Sequence, residues 1–108
     1  SYSGRWDILN ATKLIADDVA KGKLTSTEVD ESVFKSYLTT SFLPDPDLLI
    51  RTSGEFRISN FLLWELAYTE ILISDVLWPD YRKSDLIEAI TDYQKRERRF
   101  GLTGDQVK

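Results

Sequence analysis

The sequence predicts an α/β fold, a parallel sheet with surrounding helices. Three observations predict it. Apolar residues recur at helical spacing at both ends of the chain, two short apolar runs bounded by polar residues lie in the second half, and a stretch of helical character separates those runs. Strands that run parallel need such a crossover between them, which makes the unit strand-helix-strand.

From Arg5 to Ala20, Ile8, Leu9, Ala11, Leu14, Ile15 and Val19 form one apolar stripe, and Gly22 follows as a stop. Thr25 with Glu28 has the form of a capping box, and Val29, Val33, Phe34, Tyr37 and Leu38 continue as a second stripe, predicting a helix from about Glu28 to Thr39. Pro44 and Pro46 then forbid helix, so an extended segment follows. The run Asp47 to Thr52 reads as a strand buried on both faces. After a loop from Ser53 to Ser59, Asn60 is placed to cap a crossover helix through Phe61, Leu62, Leu63, Trp64, Leu66 and Ala67, apolar nearly all round. Ile71, Leu72 and Ile73 form the second strand, opened by Glu70. Pro79 breaks the chain, and Ser84 can cap a last helix carrying Leu86, Ile87, Ile90, Tyr93 and Phe100, with Gly101 as its stop.

The chain has 108 residues, 42% hydrophobic and 30% charged, as expected of one small soluble domain, and no linker, repeat or low-complexity tract divides it. Its net charge of −4 provides no global basic field, so nucleic acid is not an expected partner. Lys95, Arg96, Arg98 and Arg99 form a local exception, read either as a solvated helix face or as a surface for an anion. The absence of Cys and His excludes thiol nucleophiles, zinc-thiolate sites and imidazole acid-base chemistry. A metal here would be a hard cation on oxygen ligands, such as Mg2+. No apolar run approaches the roughly 20 residues that span a bilayer. The chain also lacks Met, and on that ground it reads as a piece of a longer protein.

Arg51-Thr52-Ser53-Gly54-Glu55-Phe56-Arg57-Ile58-Ser59-Asn60 carries the chemistry. It follows a strand's C-terminal end and precedes a predicted helix, the place where open α/β sheets bind ligands. Two guanidiniums, small hydroxyls, a glycine permitting close backbone approach and a helix dipole suit a diphosphate. The same residues admit a plainer reading, in which Arg51 and Arg57 pair with Glu55 and its neighbours and Asn60 only caps its helix. A Walker lysine and a dinucleotide glycine fingerprint are both missing.

The run from Asp47 to Asp80, DLLIRTSGEFRISNFLLWELAYTEILISDVLWPD, resembles the two C-terminal signature regions of the cis-prenyltransferases, the undecaprenyl and dehydrodolichyl diphosphate synthase family. Ser1 to Ile8 is similar to the region that precedes those signatures, and Arg96 to Gly101 to the family's C-terminal ending. The resemblance implies a parallel sheet and helices around an apolar tunnel. It also implies a reaction in which isopentenyl diphosphate attacks an allylic diphosphate, forming a cis double bond while Mg2+ assists the leaving group. By position, Arg51, Arg57 and Ser59 match the residues that grip the diphosphate of isopentenyl diphosphate, and Glu70 matches a magnesium-binding carboxylate. Trp64 and Trp78 also match, and are read as core or subunit contact. Arg99 and Gly101 resemble an arginine-any-glycine ending that reaches a partner's substrate in some members, and are read here as a basic helix end.

The resemblance further implies a homodimer or heterodimer and peripheral membrane contact through the product, and it leaves the compartment, cytoplasmic or plastid, open. The chain departs from the family in that the N-terminal half is missing, with the glycine-rich motif whose aspartate serves magnesium and the allylic diphosphate. Residues 1–108 are therefore expected to be the C-terminal half of the enzyme and inactive alone. Two rivals stay open: a noncatalytic partner subunit of a heteromeric synthase, and a plain phosphate-binding interaction domain.

Overall fold

The computed structural model describes residues 3–55, 57–58 and 60–96. Although no linker marks a division in the sequence, the chain forms two compact units, residues 1–44 with 59–64, and residues 45–58 with 65–108.

The first unit is built on helix α1, Gly4–Ala20. The Ser3 hydroxyl accepts the Trp6 N–H, and Asp7 places a carboxylate at the positive end of the helix dipole. Gly22, at φ 75°, ends the helix: its N–H donates to Val19 O and that of Lys23 to Asp18 O, a Schellman closure that the glycine conformation permits. The stop expected at Gly22 is where the helix ends.

The second helix is shorter than the stripe suggests. Glu28 does close a capping box with Thr25, whose N–H it accepts at 2.8 Å, but the box serves only the 3-10 turn Ser26–Glu28. Asp30 then takes the Val33 N–H at 2.8 Å with an extended backbone, which interrupts the spiral and starts α2, Glu31–Ser36. Helical bonding does not reach Thr39, because the Thr39 N–H donates to Asp7 Oδ1 at 3.0 Å. Ala11 and Leu38 are buried in this unit, and Phe34 packs on Trp64 with ring centroids 4.5 Å apart.

The second unit holds a parallel pair, β1 Leu48–Arg51 and β2 Glu70–Ile73, in the register Leu48 to Glu70 and Arg51 to Ile73. Both strands are half-exposed rather than buried on both faces, since two strands and one helix cover only part of their surface. The Thr69 hydroxyl donates to Pro46 O at 2.7 Å, which ties the entry of β2 to the entry of β1.

The crossover differs most from expectation. Residues 60–68 form bends and turns rather than a helix, and Leu62 takes φ 47°. Asn60 serves α1 instead of a helix of its own: its Oδ1 accepts the Arg5 N–H at 2.8 Å and its carbonyl the Gly4 N–H at 2.9 Å. A helix apolar on every face gains only when every face is covered, and Phe61 and Tyr68 are each 52% exposed here.

After the 3-10 turn Trp78–Asp80, helix α3 spans Lys83–Gln94. Its cap is Arg82 with Asp85, whose carboxylate accepts the Arg82 N–H at 2.8 Å, and not Ser84. The helix ends at Gln94, short of Phe100. Arg98, Arg99, Phe100 and Gly101 lie outside the described residues. Trp78 is 71% exposed and stacks on Tyr81, so it is not core, whereas Leu66 and Ala89 are buried. Among the described residues no helix is long and apolar enough to cross a membrane.

Candidate functional site

Arg51 is the last residue of β1, and the chain after it turns through two left-handed positions, Ser53 at φ 60° and Gly54 at φ 68°. A Cβ on Gly54 would meet Asp75 Oδ1 at 3.5 Å, an ordinary contact, so glycine is required by its dihedral and not by space. Three backbone bonds stitch this loop to the one after β2. Ser53 N–H donates to Val76 O at 2.9 Å, Gly54 N–H to Ser74 O at 2.8 Å, and Ser74 N–H to Arg51 O at 2.8 Å.

This corrects one element of the sequence reading, since no helix begins at Asn60 to lend its dipole. The Ser53 and Gly54 N–H groups face the chain's own carbonyls. Attraction for an anion rests here on side chains.

Glu55 contacts the side chain of Arg51 and the backbone of Arg57. Its Oε1 accepts the Arg57 N–H at 3.1 Å and lies 4.0 Å from Arg51 Nη2. The plainer reading of the loop is thus partly realised, since a carboxylate does sit with Arg51. At that distance, with side chains 26% and 47% exposed, the pair is a weak surface contact. Arg57 is exposed, and Ser59 lies outside the described residues.

Glu70 stands apart from this group. It opens β2 opposite Leu48, while Arg51 is opposite Ile73, so the two occupy opposite ends of the ladder. Three residues of strand separate the two levels by about 10 Å. The Glu70 N–H donates to Asp47 O at 3.1 Å, and its carboxylate lies 3.9 Å from Arg96 Nη1. Arg96 is held firmly: Nε and Nη2 contact Asp92 Oδ2 at 3.0 and 2.8 Å, and Nη1 donates to Ile71 O at 2.9 Å.

No group of three or more potential metal ligands occurs among the described residues. A single carboxylate still fits Mg2+, which commonly takes one or two carboxylates and completes its shell with phosphate oxygens and water. Glu70, at 26% side-chain exposure, has the hard oxygens for that contribution.

The Glu70–Arg96 proximity escaped sequence reasoning, because only the fold brings the ends of β2 and α3 together. The Asp92–Arg96 spacing, four residues on a helix, was the one local signal available. Two grooves also emerge only in three dimensions. One of about 470 Å³ runs between Leu72, Val76, Tyr81, Asp85, Glu88 and Asp92, and one of about 360 Å³ between Ile50, Thr52, Trp78, Arg82 and Leu86. Neither is lined by Arg51, Arg57 or Glu70. Burial, and then Asp85 and Glu88, push the Tyr81 phenol above its ordinary range.

Comparison with known proteins gives the setting. Residues 1–101 match the Prenyltransf family model, described as undecaprenyl diphosphate synthase. Over 108 residues the chain is 59% identical to an isoprenyl transferase of Chlorobaculum tepidum, covering all of this chain and 41% of that protein. It is 57% identical over 100 residues to a geranylgeranyl-diphosphate-specific tritrans,polycis-undecaprenyl-diphosphate synthase of Thermoplasma volcanium, covering 93% of this chain and 39% of that one. The crystal structure of lavandulyl diphosphate synthase from Lavandula x intermedia in complex with dimethylallyl diphosphate superposes with a TM-score of 0.86 at 44% identity, over 93% of this chain and 43% of that chain. The chain spans less than half the length of these relatives. With a match that runs from residue 1 to residue 101 and a parallel β1–β2 pair of the same fold, the chain belongs to the undecaprenyl diphosphate synthase family of prenyltransferases.

Proposed function

We propose that residues 1–108 form the C-terminal half of a cis-prenyltransferase, the part that grips the diphosphate of isopentenyl diphosphate while it condenses with an allylic diphosphate. The observation that carries this is the placement of Arg51 and the exposed Arg57 in one loop at the C-terminal end of a parallel strand, with Arg51 4.0 Å from the nearest Glu55 oxygen. A diphosphate carries more charge than Glu55 and accepts bidentate bonds from guanidiniums, so it competes well for both arginines. Ser59 adds a hydroxyl donor in this reading.

Glu70 is the residue that would hold Mg2+, together with oxygens of the diphosphates and water. Charge neutralisation of the departing diphosphate is what that cation supplies when bound. The chain's own arginines fix the nucleophilic substrate and need no base to do so. A dimer, and a second half carrying the allylic diphosphate site, complete the proposal.

A noncatalytic partner subunit is the second reading, favoured by the separation of Glu70 from Arg51 and by the guanidinium beside it. Retention of Arg51, Arg57, Ser59 and Glu70 together supports the enzyme. The deciding experiment is Arg57→Ala in the complete synthase, with KM measured for each substrate. The proposal expects the isopentenyl diphosphate KM to rise far more than the allylic KM, and equal effects on both would overturn it.

A further inference from the structure

We propose that Arg96 is a positioning residue that makes cation binding at Glu70 conditional on diphosphate. The inference rests on the reading of Glu70 as the magnesium carboxylate and adds a second residue to that site.

Arg96 is fixed without help from Glu70. Asp92 holds its Nε and Nη2, and the Ile71 carbonyl holds its Nη1, so the end of α3 is fastened one residue beyond Glu70 on β2. The guanidinium thereby becomes a stationary positive charge 3.9 Å from Glu70 Oε1, an ion-pair distance beyond hydrogen-bond reach. Two consequences follow from Coulomb's law. The carboxylate keeps its lone pairs directed elsewhere while its charge is offset, and a divalent cation approaching it meets a fixed repulsion. A diphosphate beside the cation supplies negative charge that outweighs the guanidinium. Metal and substrate then bind together, and the cation alone binds poorly.

Arginine suits this role because its charge does not titrate and its planar fork can satisfy Asp92 and Ile71 at once. Lysine would keep the charge and lose the fork. The cluster of basic residues noted at the chain's end is in this respect not a bare solvated face, since Arg96 is occupied by acidic partners of its own chain.

The test is Mn2+ binding to the complete synthase, read by electron paramagnetic resonance, with and without inorganic diphosphate. Without diphosphate, Arg96→Gln should bind Mn2+ about tenfold more tightly than the parent, the scale of one unit charge acting on a divalent ion at near-aqueous screening. Arg96→Lys should stay close to the parent. Asp92→Asn, at a side chain 50% exposed, should weaken Mn2+ binding, because it removes the charge that partly offsets Arg96. With saturating diphosphate the Arg96→Gln gain should shrink. Equal affinities for parent and Arg96→Gln, or the same gain in a Glu70→Gln background, would overturn the proposal while leaving Glu70 as a ligand. If Glu70→Gln leaves Mn2+ binding unchanged with and without diphosphate, the metal assignment itself fails, and this inference with it.

Discussion

The loop after β1 and the junction of β2 with α3 each place a carboxylate beside an arginine, and they do so in opposite ways. In the loop, one glutamate meets two groups: Glu55 lies 4.0 Å from Arg51 and accepts the backbone N–H of Arg57 at 3.1 Å. At the junction, one arginine is held by three short contacts to Asp92 and Ile71, and Glu70 stands 3.9 Å from it. A loosely held arginine can reorganise around an incoming anion. A tightly held one can only present a field. Under the proposed function, the contrast suits the loop to gripping substrate and the junction to tuning a charge.

The largest effect should come from Glu70. Glu70→Gln in the complete enzyme keeps size and hydrogen-bonding capacity but removes the charge a hard cation needs, so turnover should fall by about a hundredfold or more, with partial recovery in excess Mg2+. The thermal midpoint should hardly move, since the Arg96 contact is long and half-exposed. Unchanged turnover and unchanged magnesium dependence would make Glu70 a surface residue and leave the junction as mere fastening.

Arg57→Ala comes next. It should raise the isopentenyl diphosphate KM by about tenfold to a hundredfold, with Arg57→Lys recovering part of the loss, because an ammonium carries the charge but not the planar fork. Recovery to parent values by Lys would show that the loop acts through charge alone.

Much of the fold was readable because local rules governed it. The stripe of α1 and its glycine stop, the strands, and the cap-like role of Glu28 all follow from spacing and side-chain chemistry within a few residues. Two of the misreadings share one cause, a polar group diverted to a partner far along the chain. Asn60 looked like the cap of its own helix and serves α1, 55 residues away. The Thr39 N–H left α2 for Asp7. The separation of Glu70 from Arg51 was also legible, because Glu70 opens one predicted strand and Arg51 lies near the end of the other, and parallel strands put those positions at opposite ends of the ladder. Asn60→Ala tests the diversion directly. It should lower stability by about 1 kcal/mol, as expected for loss of a capping oxygen, measured by chemical denaturation of the complete protein. No change would show that the Ser3 hydroxyl alone suffices for the end of α1.

The smallest effect sharpens the contrast most. If Glu55 competes with substrate for the loop's cationic side, Glu55→Gln should lower the isopentenyl diphosphate KM, since the amide can still accept the Arg57 N–H but no longer carries a charge against Arg51. The gain is bounded by what an exposed ion pair is worth, at most about 1 kcal/mol, so a decrease of about twofold to fivefold is expected. It should fade as ionic strength rises, because the charges lie near the surface where salt screens them. The allylic KM and the metal dependence should stay as they were, which separates this effect from any at Glu70. A rise in the isopentenyl diphosphate KM would reverse the argument. Glu55 would then be the group that orients the arginines for the diphosphate, and the loop, like the junction, would be preorganised by its own carboxylate rather than held loosely until substrate arrives.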